Sequence, residues 1–191
     1  MAQNLNINPK LVFMRGVIVI DEKELRELKD VGLRLEKEHH LIAERVKKLN
    51  ALKEYGINPY PYKFNQTAHS EELKNKYQHL NPEQITEDHV VVAGRIVALR
   101  RLGKASFIQL LDNDGKIQVL CNEAETKYYE QMKLLDMGDY IGVNGLVMKT
   151  KTGELTVKCL EYTVLSKSLR PLPEKYRGIQ DIEIKYRQRY L

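Results

Sequence analysis

The chain is short of cysteine, of long apolar runs and of phosphate-gripping glycine loops, and each shortage removes a class of function. Its two cysteines, Cys121 and Cys159, stand at inward positions of expected strands, which points to buried thiols in a reducing cytoplasm rather than to a disulfide. The apolar stretch Leu11 to Ile20 is broken by Arg15. It is too short to span a bilayer and lacks the basic start and small-residue cleavage site of a secretory leader, so no membrane partner is expected. Histidine, cysteine and acidic residues nowhere take a ligand spacing, so no metal is expected. No glycine-rich phosphate loop and no nucleophile beside a base is present either, so neither a cofactor nor a catalytic residue is expected.

What the chain does have, between Val90 and Leu165, is a series of β-type segments punctuated by turn residues. Val90 to Arg101 is β-branched and ends in a basic pair, Ala105 to Asp112 follows Gly103, and Lys116 to Cys121 follows the turn Asp112-Asn113-Asp114-Gly115. Glu123 to Leu135 carries apolar Tyr128, Met132 and Leu135 and reads as a short helix before Gly138. Two further strands flank Lys149-Thr150-Lys151-Thr152-Gly153-Glu154. Three strands, a helix and two strands make a mainly β fold with α, the five-stranded OB-fold Greek-key barrel with its helix between the third and fourth strands.

Alternation sets the register of the second hairpin, because a one-residue slip would turn its core outward. Ile108, Leu110, Ile117, Val119 and Cys121 form the inward set, with Ile108 opposite Val119 and Leu110 opposite Ile117. Phe107, Gln109, Gln118 and Leu120 are then forced onto the outer face. A ring to stack an unstacked base and amides to bond its edge are what single-stranded nucleic acid requires. The competing reading packs Phe107 under the N-terminal helix. Arg95, Arg100, Arg101, Lys104 and Lys116 cluster around the same strands, and the net charge of +5 is compatible with phosphate as a partner. A charge cluster is more often a solvated face, so the functional reading rests on ring, amides and cations coinciding on one surface.

Before the barrel, Asp21 and Glu24 have capping-box spacing. Leu25, Leu28, Leu35, Ile42, Val46, Leu49 and Leu52 recur at helical intervals, with Gly32 as a break or kink and Tyr55-Gly56 as the end ahead of Pro59 and Pro61. The organisation read from the chain is an N-terminal extension without an assigned role (1–20), an amphipathic helix (21–56), a connecting segment with a short helix (57–89), the barrel (90–166) and a stiff, proline-bearing linker (167–191).

Taken together, several stretches resemble one family, the class II lysyl-tRNA synthetases, in their N-terminal anticodon-binding domain. They are Asn58-Pro59-Tyr60-Pro61, Val92-Ala93-Gly94-Arg95, Gly103-Lys104-Ala105-Ser106-Phe107, Thr150-Lys151-Thr152-Gly153-Glu154-Leu155, Arg170-Pro171-Leu172-Pro173-Glu174-Lys175 and Tyr186-Arg187-Gln188-Arg189-Tyr190-Leu191. Aspartyl and asparaginyl relatives look similar in the barrel, but the Thr-Lys-Thr-Gly-Glu turn and the Arg-Pro-Leu-Pro linker look like the lysyl branch. The resemblance implies an RNA-binding set. Phe107 stacks on the central uracil of the lysine anticodon, Gln118 bonds that base's edge, Glu154 contacts a neighbouring base, and Arg100 or Arg101, with Lys104, holds the loop. It further implies a lysine-accepting tRNA as partner, a homodimeric parent enzyme using ATP and magnesium, and a catalytic domain beyond Leu191. These residues alone are then not expected to be catalytic. The rival readings are a freestanding single-strand-binding module and a protein-docking module built on Phe107 and the long helix.

Overall fold

The computed structural model describes residues 13–14, 17–18, 22–170 and 186, with side chains from 39 to 170 and at Arg26, Lys29 and Tyr186. The cap at Asp21 and the linker's Pro171 and Pro173 lie outside the described residues. Two compact units divide the chain, residues 1–40 and 41–191. In the first, part of the apolar run folds back as a minimal hairpin, with β1 (Phe13–Met14) antiparallel to β2 (Val17–Ile18). Helix α1 (Glu22–Glu54) then runs through Gly32 without the expected break; one glycine costs a helix only about 1 kcal/mol relative to alanine, which neighbouring turns offset.

In the second unit α1 ends as expected. Gly56 sits at φ 72°, its N–H donates to the Lys53 carbonyl at 2.9 Å, and Ile57 N–H reaches the Leu52 carbonyl at 3.0 Å. This is a left-handed C-cap that satisfies two carbonyls the helix would otherwise leave bare. The apolar stripe is used unevenly: Leu49 and Leu52 are buried, whereas Val46 is 37% exposed.

Five strands close a barrel: β3 (Ile85–Leu102), β4 (Ala105–Leu111), β5 (Lys116–Asn122), β6 (Tyr140–Lys149) and β7 (Leu155–Ser166), in the ring order β3-β4-β5-β7-β6. Only β5 and β7 run parallel. Both core pairs stand as read from alternation, Ile108 opposite Val119 and Leu110 opposite Ile117, and the five inward residues are at most 3% exposed. β3 begins at Ile85, ahead of the expected Val90. The segment Thr86 to His89 is polar and shows no alternation, but a register irregularity lets Ile85 pair with Met148 and His89 with Leu146.

The expected helix from Glu123 to Leu135 is reduced to a 3-10 helix, Tyr129–Leu134. The cause is competition for the backbone by β7. Thr126 Oγ1 donates to the Cys159 carbonyl at 2.9 Å and accepts from Asn122 N–H at 3.0 Å, while Lys127 N–H donates to the Leu160 carbonyl at 2.7 Å. Tyr128 then takes a left-handed φ of 63°, which a helix cannot propagate through, and its ring is 48% exposed rather than in the core. Met132, Leu134 and Leu135 are buried.

Two polar knots hold the periphery. Asp112, in the β4–β5 turn, accepts from Ser70 N–H and Oγ, both at 2.7 Å, and from Asp114 and Gly115 N–H at 3.0 and 2.8 Å, which docks α2 (Ser70–Lys76) on the barrel. At the other end Lys167, buried, bridges Asp136 and Asp139. Beside it Arg45 of α1 donates to the carbonyls of Met137, Ser168 and Arg170.

Candidate nucleic-acid interface

The outward residues of β3, β4, β5 and β7 line up in two cross-strand rows. One runs Arg100, Phe107, Leu120, Lys158; the other runs Ala98, Gln109, Gln118, Thr156. Above them lies an open groove of about 750 Å³, the size range of ligand clefts. Phe107, Gln109, Gln118 and Leu120 form its floor, and the β6–β7 turn with Glu83 forms its wall. None of the described side chains of α1 lines it, and Phe107 stands on the groove's floor.

Glu154 stands on a turn with little freedom. Thr150 N–H donates to the Glu154 carbonyl at 2.9 Å, Gly153 N–H to the Thr150 carbonyl at 2.9 Å, and Glu154 N–H to Thr150 Oγ1 at 3.0 Å. Gly153 takes φ 85°, a conformation that explains the glycine in Thr-Gly-Glu. The turn is also anchored laterally, because Lys149 Nζ donates to the Leu80 carbonyl at 2.9 Å and the Glu83 N–H to the Lys149 carbonyl at 2.9 Å. Glu83 is one of two non-glycine residues with positive φ among the described residues, at 65°.

The basic cluster does not gather as a unit. Arg100 shares the face of Phe107 and lines the groove. Arg101, one residue on, points the other way and donates to the Met132 and Leu135 carbonyls at 3.0 and 3.1 Å, closing the end of the 3-10 helix. Lys104 borders a separate hollow with Asn122 and Glu125, and Arg95 lies in another, its guanidinium 5.2 Å from the Tyr140 ring centre and its buried Nε without a hydrogen bond. Lys158 of the Phe107 row is neutralised by Glu125 at 2.7 Å, and that lysine, with Asn122, holds the Glu125 carboxyl below the usual range. Arg100, Lys149 and Lys151 are the groove's cations without a carboxylate partner among the described residues, and of these Lys149 is taken up by the Gln78 and Leu80 carbonyls.

Lys151, Glu83 and Thr156 were not read from the sequence as site residues. Lys151 sits inside a motif that was noticed and could have been found there. Glu83 reaches the groove, and Thr156 stands buried behind Gln118, through pairings distant along the chain, which no local pattern announces. With no glycine-rich cradle, and no group of three metal-ligating side chains among the described residues, the groove does not fit a nucleotide–metal complex. Among the described residues no helix is long and apolar enough to cross a membrane.

Comparison with known proteins bears on the barrel as a whole. Residues 90–165 match the family model described as the OB-fold nucleic acid binding domain of the tRNA anti-codon type, in keeping with the closed five-stranded ring. Over 148 residues the chain is 42% identical to the lysine–tRNA ligase of Fervidobacterium nodosum, covering 77% of this chain and 29% of that protein. It is 45% identical over 157 residues to the lysine–tRNA ligase of Shouchella clausii, covering 80% and 31%, and 45% identical over 151 residues to that of Streptococcus pneumoniae, covering 77% and 30%. The chain thus spans under a third of the length of the curated relatives it matches.

Proposed function

We propose that the groove over β4, β5 and β7 binds the single-stranded anticodon loop of a lysine-accepting tRNA, as the recognition part of a cytoplasmic, homodimeric ligase that joins lysine to that tRNA with ATP. The observation that carries this reading is the meeting of Phe107, Gln118, Glu154 and Arg100 on one groove. Phe107 supplies a flat face for an unstacked base, Gln118 an amide for its edge, Glu154 an acceptor for a neighbouring base's N–H groups, and Arg100 a cation for phosphate. Lys104, in its separate hollow, is left to a peripheral phosphate contact. The same floor without base selectivity is the layout of a sequence-blind single-strand binder, so discrimination between bases separates the two readings. ATP and magnesium would serve the joining chemistry, which this reading assigns to the rest of the ligase.

The test is titration, at one moderate salt concentration, of a lysine-tRNA anticodon stem-loop and of its twin with cytosine at the central anticodon position. A preference for uracil of about tenfold or more, lost in Gln118→Ala, is expected, because a base-edge pair is worth about 1–3 kcal/mol and tenfold is about 1.4. Equal affinity for the two would overturn the anticodon reading and leave an electrostatic single-strand binder.

A further inference from the structure

The Gln118 amide is held from behind. Its Nε2 donates to Thr156 Oγ1 at 2.9 Å, and Thr156 Oγ1, in a side chain with no solvent exposure, donates to the Glu154 carbonyl at 3.2 Å. A hydroxyl has a single proton to give. With that proton on Glu154, Thr156 offers Gln118 only lone pairs, so the amide must turn its NH2 toward β7 and leave its carbonyl oxygen and second N–H for the groove. Turning the amide over would set oxygen against oxygen, or withdraw the hydroxyl from Glu154.

We infer that Thr156 is a specificity-determining positioning residue, which fixes the order of donor and acceptor that Gln118 presents to a base. The inference rests on the reading of Gln118 as a contact to a base edge. Uracil and cytosine have nearly the same shape and stack alike on Phe107. They differ in order: uracil presents a ring N–H beside a carbonyl, cytosine an unprotonated ring nitrogen beside an amino group. A carboxamide free to rotate by half a turn satisfies either base. One locked by Thr156 satisfies only the base whose donor falls opposite the fixed oxygen. Part of the selectivity therefore resides in a buried hydroxyl that never touches RNA. The fold explains the placement: Gln118 and Thr156 are register partners across the parallel β5–β7 pair, and Thr156 lies two residues from Glu154, so one hydroxyl ties both readers together.

The experiment compares the wild-type chain, Thr156→Val and Thr156→Ser on the uracil and cytosine stem-loops at a series of salt concentrations. Valine keeps the shape and removes the hydroxyl. The expected result is a uracil preference of about tenfold or more in the wild type, reduced to about threefold or less in Thr156→Val chiefly through stronger cytosine binding, with an unchanged salt slope and with recovery in Thr156→Ser. A merely structural role would weaken both RNAs alike. Thr156→Val retaining the full wild-type preference would overturn the lock while leaving the Gln118 reading intact. A wild type without preference would overturn both. A second readout needs no variant: the order parameter of the Gln118 side-chain amide in the free wild-type chain is expected near the rigid value of about 0.85, and a value below about 0.6 would overturn the lock.

Discussion

Lys167 Nζ lies 2.8 Å from Asp139 Oδ2, and neither side chain has any exposure to solvent. Asp139 also accepts from Asp136 N–H at 2.8 Å and Ser168 N–H at 2.9 Å, so the pair is embedded in a satisfied network. Removing only the cation strands a buried carboxylate, which costs about 3–5 kcal/mol. Lys167→Met is expected to lose that much in urea unfolding, and the double variant with Asp139→Asn to regain a large part. A loss under about 1 kcal/mol would class the pair with weak surface ion pairs.

Acid should loosen the same knot. Burial disfavours the charged form of Asp136, but Lys167 and Lys48 outweigh it and hold the carboxyl below its ordinary value. Asp112 behaves likewise, burial being outweighed by the Ser70 hydroxyl and the N–H groups of Gly115, Ser70 and Asp114. In each case the unfolded state binds protons more readily than the folded one. The stabilisation is therefore complete above the ordinary carboxylate range, about pH 4, and is lost as pH falls through the lower folded values. Melting temperature is expected to stay level between about pH 7 and 5 and to drop below about pH 4, with a shallower drop in Asp112→Asn. A flat profile through that drop would contradict the assignment.

The two neighbouring arginines should separate cleanly. Arg101→Ala removes donors from two carbonyls at the end of the 3-10 helix and is expected to cost about 1–3 kcal/mol of stability with RNA affinity per folded molecule preserved. Arg100→Ala is expected to leave the melt unchanged, weaken all RNAs alike and lower the salt slope by about one. Reversed behaviour would mean that the faces of β3 are exchanged in solution.

Two glycines of β6 are predicted to differ in repair. A Cβ at Gly145 would fall on the Lys158 carbonyl, which is backbone and cannot yield, so Gly145→Ala is expected to be destabilising by about 3 kcal/mol or more. At Gly142 the obstacle is the Phe64 ring. Gly142→Ala should also destabilise, but adding Phe64→Ala should make the two losses less than additive by about 0.5–3 kcal/mol, as contacting residues do. Strict additivity would show that the ring is not what fills the space.

Thiol labelling offers the last check. Cys121 and Cys159 are each 1% exposed and unpaired by disulfide, and the Cys159 thiol together with burial pushes the Cys121 thiol far above its ordinary range. Neither is expected to react with an alkylating reagent at neutral pH until denaturant unfolds the barrel, so labelling and unfolding should share one midpoint. Rapid labelling of the native chain would refute the packing of β5 against β7.

The barrel was legible because its signals are local. Alternation in Phe107 to Leu110 and Ile117 to Cys121, and glycines at the turns, leave a single register that buries the aliphatics. The groove's floor followed from the same parity. The end of α1 at Gly56 was legible too, since the C-cap is written in a few adjacent residues. What escaped depends on partners far along the chain. The helix after β5 yields to hydrogen bonds that its residues donate to β7 carbonyls, the start of β3 is drawn back by β6, and Arg101 is taken by carbonyls around Met132. Thr156 matters through a parallel pairing that nothing near it in sequence foretells.

The grip of Arg45 on Met137, Ser168 and Arg170 also has a mechanical side. It fastens the helix that precedes the barrel to the strand of chain that leaves it, so tension applied between residues 41 and 170 loads this clasp before it reaches the strand ladders. The ring of strands, and the floor on which Phe107 and Gln118 stand, are thereby sheltered from pulling at either end.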